Sequence, residues 1–117
     1  RRWRKVLGGG MRQAGMVAAA GIYALQNHVE RLREDHANAR ELARGLNDID
    51  AIRVDPSQTN MVFMHVPPAR ADALRAHMKQ QGVLIGGGNS IRLVTHLDVG
   101  RADVERVAAA AKAFFLH

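Results

Sequence analysis

The sequence has no cysteine, which excludes disulfides and cysteine-ligated metals. No apolar run approaches the roughly 20 residues that a membrane-spanning helix needs. The basic segment at Arg1, Arg2, Arg4 and Lys5 leads into glycines rather than an apolar block, so the start does not resemble a secretory signal. There is no initiator methionine, as expected of a cut-out or processed fragment. Internal repeats and low-complexity linkers are absent. The six histidines form no H-E-x-x-H or other close pair, so no metal site is expected. Gly8-Gly9-Gly10 is followed by no Gly-Lys-Ser/Thr and makes no G-x-G-x-x-G pattern, which excludes the two common nucleotide loops. Acidic residues are in deficit, 11 against 17 Lys+Arg, leaving a net charge of +6.

What remains is a chain of 117 residues, 47% hydrophobic and 24% charged, enough for one modest core. Four of the 17 basic residues are Arg1, Arg2, Arg4 and Lys5, and the rest nearly balance the 11 acidic ones. A nucleic-acid footprint would be spread more evenly. A soluble cytoplasmic protein that binds neither membrane nor nucleic acid is therefore expected. A basic nucleic-acid module using the first five residues and Trp3 stands as one alternative.

Residues 11–46 read as a long helix with a break near Asn27-His28. Ile22, Leu25, Val29, Leu32, His36, Ala39, Ala43 and Leu46 recur in steps of three and four, which marks one helical face. An α/β pattern follows: strands at 51–55 and 60–66, a helix at 70–81, strands at 83–85 and 91–95, and a helix at 101–116. The fold class is thus α/β, a long connecting helix followed by a small two-layer β-β-α-β-β-α sandwich. The expected division is a helical connecting segment at residues 1–47 and a small α/β domain at residues 48–117.

Two places carry candidate chemistry. Trp3-Arg4-Lys5 runs into Gly8-Gly9-Gly10-Met11-Arg12-Gln13 and then an alanine-rich helix. Glycines that permit a tight turn, a helix N-terminus and Arg12 together suit a phosphate or another anion. The plainer reading is a helix–helix turn. In Ile91-Arg92-Leu93-Val94-Thr95-His96, alternation puts Arg92 on the face opposite Ile91 and Leu93. A guanidinium among apolar strand residues needs solvent or an acceptor, and its planar fork suits a carboxylate. The plainer reading there is an edge-strand arginine paired with a nearby aspartate.

These segments resemble low-specificity L-threonine aldolases. The resemblance rests on the WRK and GGGMRQ run, Glu34-Asp35-His36 with Asn38-Ala39, the TNMVF stretch at 59–63 and the RLVTHLDV stretch at 92–99. They follow in the family's order over nearly the whole chain, whereas Gly86-Gly87-Gly88-Asn89 departs from its pattern. The resemblance implies the C-terminal portion of a pyridoxal-phosphate enzyme with an aminotransferase-like fold. That enzyme would cleave L-threonine or L-allo-threonine to glycine and acetaldehyde. It implies that Arg92 binds the substrate carboxylate, and that Arg12 and Lys5 lie near the cofactor phosphate across a subunit boundary. It also implies a missing N-terminal cofactor domain and a homo-oligomer, a tetramer in the family. Of the three lysines, Lys5, Lys79 and Lys112, none stands in the context of the family's Schiff-base lysine. No catalytic residue is therefore assigned, and the chain alone is expected to be inactive. A non-catalytic module that binds a carboxylate through Arg92 is the other alternative.

Overall fold

The computed structural model describes residues 2–116. The chain divides between Arg31 and Leu32 into two compact units.

The first unit opens with a short helix, α1 (Arg2–Val6). It stops in a hydrogen-bond pattern that only a left-handed residue completes. Gly8, at φ +82°, donates to the Lys5 carbonyl at 3.0 Å, and Gly9 donates to the Arg4 carbonyl at 2.7 Å. These are the two bonds of a Schellman cap. A Cβ on Gly9 would lie 2.8 Å from the Arg4 carbonyl oxygen, so two of the three glycines are required by the turn itself. Helix α2 (Gly15–Asn27) follows and buries none of its residues. The expected break at Asn27-His28 is present. Asn27 donates its side-chain amide to the Tyr23 carbonyl at 2.8 Å, a local bond that competes with the helical ladder. The single long helix is therefore two helices, separated by turn residues 28–31.

The second unit begins with α3 (Leu32–Asn47). Strands β1 (Arg53–Val54) and β2 (Met61–His65) come next, then α4 (Pro68–Gln80), β3 (Ser90–Val94) and α5 (Arg101–Leu116). The sheet order is β1-β2-β3, and both pairings are antiparallel. Val62, Met64 and Ile91 point into the core, where they meet Leu42 and Leu46 of α3, Leu74 and Met78 of α4, and Val104 and Ala111 of α5. The helices cover one layer of a two-layer unit.

One expected strand is missing. The 83–85 segment forms no ladder, so the observed order is β-β-α-β-α. The cap of α4 explains this. Gly82, at φ +73°, donates to Lys79, while Val83 donates to the Met78 carbonyl at 2.9 Å. Val83 and Met78 are both buried, which supplies the hydrophobic contact that accompanies a Schellman cap. The apolar character of Val83 thus serves a helix end rather than a strand. Helix α5 forms over the expected residues. The Gly100 N–H donates to the Asp103 carboxylate at 3.1 Å, the reciprocal half of a capping box.

Gly45 is a packing residue. Its helix continues to Asn47, and a Cβ added at Gly45 would meet the Ala108 Cβ at 2.9 Å. Gly45→Val is therefore expected to destabilise the unit by about 1–3 kcal/mol, the usual cost of overpacking. Urea unfolding measures the loss. Ala108→Gly should recover part of it, and no recovery would mean the two residues are not the point of contact.

Candidate functional site

The sheet has a second face, turned away from the helices. Along β2, Val62 and Met64 are buried while Met61 and Phe63 stay more than one-third exposed. On β3, Ile91 is buried while Ser90, Arg92 and Val94 are exposed. Register places Met61 opposite Val94, Phe63 opposite Arg92, and His65 opposite Ser90. Arg92 therefore projects from the middle of a face that is apolar at one end and polar at the other.

The polar end holds a fixed cluster. His65 donates from Nε2 to Asp55 Oδ2 at 2.8 Å, and Arg53 binds the other carboxylate oxygen. The His65 hydrogen bond is the main reason that the Asp55 carboxyl titrates below the ordinary aspartate range, with Arg53 adding to the effect. This leaves Arg92 distinctive. β3 is an edge strand, as the plainer reading required, but Asp55 is taken by His65 and Arg53. Arg92 makes no ion pair or hydrogen bond with any other described residue. A free guanidinium fork on a half-apolar face is suited to a carboxylate brought by a ligand.

In the first unit, Arg12 lies in the turn before α2 rather than on its first residues, because the helix starts at Gly15. Gln13 takes a positive φ of 52° within that turn. Arg4 reaches across the turn to the Met11 carbonyl at 3.5 Å. Lys5 Nζ stands 3.6 Å from where a Gly10 Cβ would be. Arg12 and Lys5 are exposed and make no side-chain hydrogen bond to a described residue. Lys79 and Lys112 sit exposed on α4 and α5.

Sequence reasoning passed over two groups. One is the Arg53–Asp55–His65 cluster, whose only sequence signal was alternation that put His65 on the Phe63 face. The other is a buried polar set that ties α3 to the end of β3. Thr95, 1% exposed, donates its hydroxyl to the Asp35 carbonyl at 2.7 Å. Asn60 donates to the Thr95 carbonyl at 2.8 Å, and Asn38 donates to the Val99 carbonyl at 3.2 Å. These residues come from three separated motifs, which the fold brings into contact. His96 shapes the turn that follows, accepting from the Asp98 N–H at 3.3 Å.

Comparison with known proteins gives a consistent result. A profile of the beta-eliminating lyase family matches residues 1–69. The chain is 52% identical over 115 residues to the low specificity L-threonine aldolase of Escherichia coli (strain K12), covering 97% of this chain and 34% of that protein. It is 43% identical over 108 residues to low-specificity L-threonine aldolase 1 of Arabidopsis thaliana, covering 86% of this chain and 30% of that one. The chain thus spans about a third of the length of these curated relatives. Among solved structures, it is similar to an adenosylmethionine-8-amino-7-oxononanoate aminotransferase from Methanocaldococcus jannaschii, with TM-score 0.67 and 16% identity. That match covers 86% of this chain and 26% of the other. An S-selective transaminase from Arthrobacter sp. gives TM-score 0.63 at 18% identity, over 87% of this chain and 28% of the other. At these identities the structures establish the fold alone, and it is aminotransferase-like. No helix among the described residues is long and apolar enough to cross a membrane.

Proposed function

The chain belongs to the beta-eliminating lyase family, and on that footing we propose that it is the C-terminal, substrate-carboxylate-binding part of a threonine aldolase. The reaction is cleavage of L-threonine or L-allo-threonine to glycine and acetaldehyde. The observation that carries this reading is the unpaired Arg92 on the open sheet face, in a chain that aligns almost end to end with proteins named low-specificity L-threonine aldolase.

The family uses pyridoxal phosphate, and the residues of this chain fit one end of it. Lys5 and Arg12 are exposed cations beside a glycine turn with no side-chain partner among the described residues, a donor set suited to the phosphate. The aldehyde end is not matched, because Lys79 and Lys112 lie on helix surfaces. That end belongs to a cofactor domain elsewhere in the longer protein. When bound, the cofactor supplies the electron sink for the carbanion left on glycine as the Cα–Cβ bond breaks.

The chain's own residues then have separate tasks. Arg92 takes the substrate carboxylate by two parallel hydrogen bonds and so fixes which bond at Cα stands ready to break. Arg12 and Lys5 hold the phosphate, acting toward a neighbouring subunit. The expected boundary after residue 47 gives way to one before α3, whose Leu42 and Leu46 belong to the core of the second unit, so residues 1–31 are the connection from the cofactor domain and 32–117 the small domain. The same reading makes the protein a cytoplasmic homo-oligomer, a tetramer.

The test is to supply the full-length protein with L-threonine and L-allo-threonine and measure glycine and acetaldehyde. Equimolar products support the reading; tight amino-acid binding without cleavage replaces it with a carboxylate-binding module. Arg12→Ala is expected to weaken cofactor retention by roughly tenfold to a hundredfold, as for the loss of a charge-assisted hydrogen bond. Dialysis followed by cofactor titration of the visible absorbance checks this. Unchanged affinity would make Arg12 a surface residue.

A further inference from the structure

We propose that Thr95 is a positioning residue for Arg92, an inference that rests on the carboxylate-binding reading above. Among the described residues, β3 pairs with β2 alone and no strand lies along its other edge. Arg92 is three residues from Thr95, where the chain leaves the sheet. The ladder with β2 fixes the register of β3 but holds it from one side only, so how its end sits against α3 depends on the bonds made just beyond Val94.

The Thr95 cluster supplies those bonds. The Thr95 N–H donates to the Asn60 carbonyl at 3.0 Å, and the Asn60 amide donates back to the Thr95 carbonyl at 2.8 Å. This ring locks the last residue of β3's path to the residue that enters β2. The Thr95 hydroxyl then binds the Asp35 carbonyl at 2.7 Å, which ties the same peptide to the start of α3. Asn38, one turn along α3, holds the Val99 carbonyl beyond it at 3.2 Å. Asp35 and Thr95 are buried, so the hydroxyl bond between them is shielded from competing water, and the other bonds are partly so. The cluster lies on the helix side of the sheet, and Arg92 projects from the opposite side. It acts on Arg92 through the strand, by setting where the guanidinium meets Phe63 across the ladder. Two-point carboxylate binding makes this exacting, since both N–H groups must meet both oxygens at once.

The experiment uses the full-length enzyme. Thr95→Val keeps the shape and removes the hydroxyl, whereas Thr95→Ser keeps the hydroxyl. Thr95→Val is expected to raise KM for threonine roughly tenfold and to leave kcat and the cofactor absorbance within twofold. Thr95→Ser should keep KM within twofold. In an Arg92→Ala background, Thr95→Val should add nothing further, because the group it positions is gone. An unchanged KM with a lower Tm, or full additivity with Arg92→Ala, overturns the proposal. If Thr95→Val fails to fold, Asn60→Ala carries the same comparison through the lost bond to the Thr95 carbonyl. If neither variant folds, the cluster is a folding element and the proposal is overturned. Failure of the wild type to cleave threonine removes the aldolase reading and this proposal together. Normal wild-type cleavage, lost in Arg92→Ala but kept with normal KM in Thr95→Val, removes the positioning role alone.

Discussion

Arg92→Ala in the full-length protein is expected to lower kcat/KM for threonine by roughly 30- to 5,000-fold. That range corresponds to about 2–5 kcal/mol, the usual cost of removing one partner from a desolvated charge pair. The structure explains why no neighbour compensates. Arg53, the other guanidinium of the sheet, is bound to Asp55, and His65 holds the same carboxylate. The residue facing Arg92 is Phe63, which offers a carboxylate no donor. Arg92→Lys keeps the charge but loses the planar fork, so it should recover only part of the activity. Arg92 is exposed and bonds to no other described residue, so the fold should survive either change. The measurement is kcat/KM beside circular dichroism and the cofactor absorbance. Near-normal kcat/KM in Arg92→Ala would remove Arg92 from the site. Loss of the absorbance band would make it a residue for the cofactor.

Leu46→Ala in the 117-residue chain is expected to destabilise the second unit by about 2–5 kcal/mol, as large-to-small changes in closed cores do. Leu46 is 0% exposed and sits among the side chains that join α3 to the sheet and α5. A typical domain holds only about 5–15 kcal/mol in total, so the unit should be close to unfolding. Leu25→Ala is the matching control. Leu25 lies on the same three-and-four stripe in the sequence, but it is 73% exposed on α2. In this chain its loss should cost within about 0.5 kcal/mol. Urea unfolding of both variants checks the contrast, and equal losses would show that α2 has its own closed core.

That contrast marks where sequence reading stopped. Periodicity found the helices and strands because each element's local pattern follows its own geometry. Alternation placed Arg92 opposite Ile91 and Leu93 for the same reason, and β3 shows it there. The Gly100–Asp103 cap at the start of α5 is local in the same sense, since it joins residues three apart. The stripe along α2 and α3 was legible as a stripe, but not which half of it would be buried. Burial depends on what packs against a helix, and spacing does not contain that. On α3 the buried face includes Asp35 and Asn38 beside Ala39, Leu42 and Leu46, whereas the stripe pointed to His36. The Asn38 amide is met in the core by the Val99 carbonyl, and the Thr95 hydroxyl by the Asp35 backbone carbonyl, partners 61 and 60 positions apart. Val83 read as strand because apolar residues suit a strand and a helix cap equally. The sequence by itself determined the helices α3 to α5, the strands β2 and β3, the face of Arg92 and the family. The tertiary structure alone decided that Asp55 is taken, that Arg92 is free, and that Thr95 is clamped. The physical reason is that each of these depends on partners brought together only when strands and helices pack.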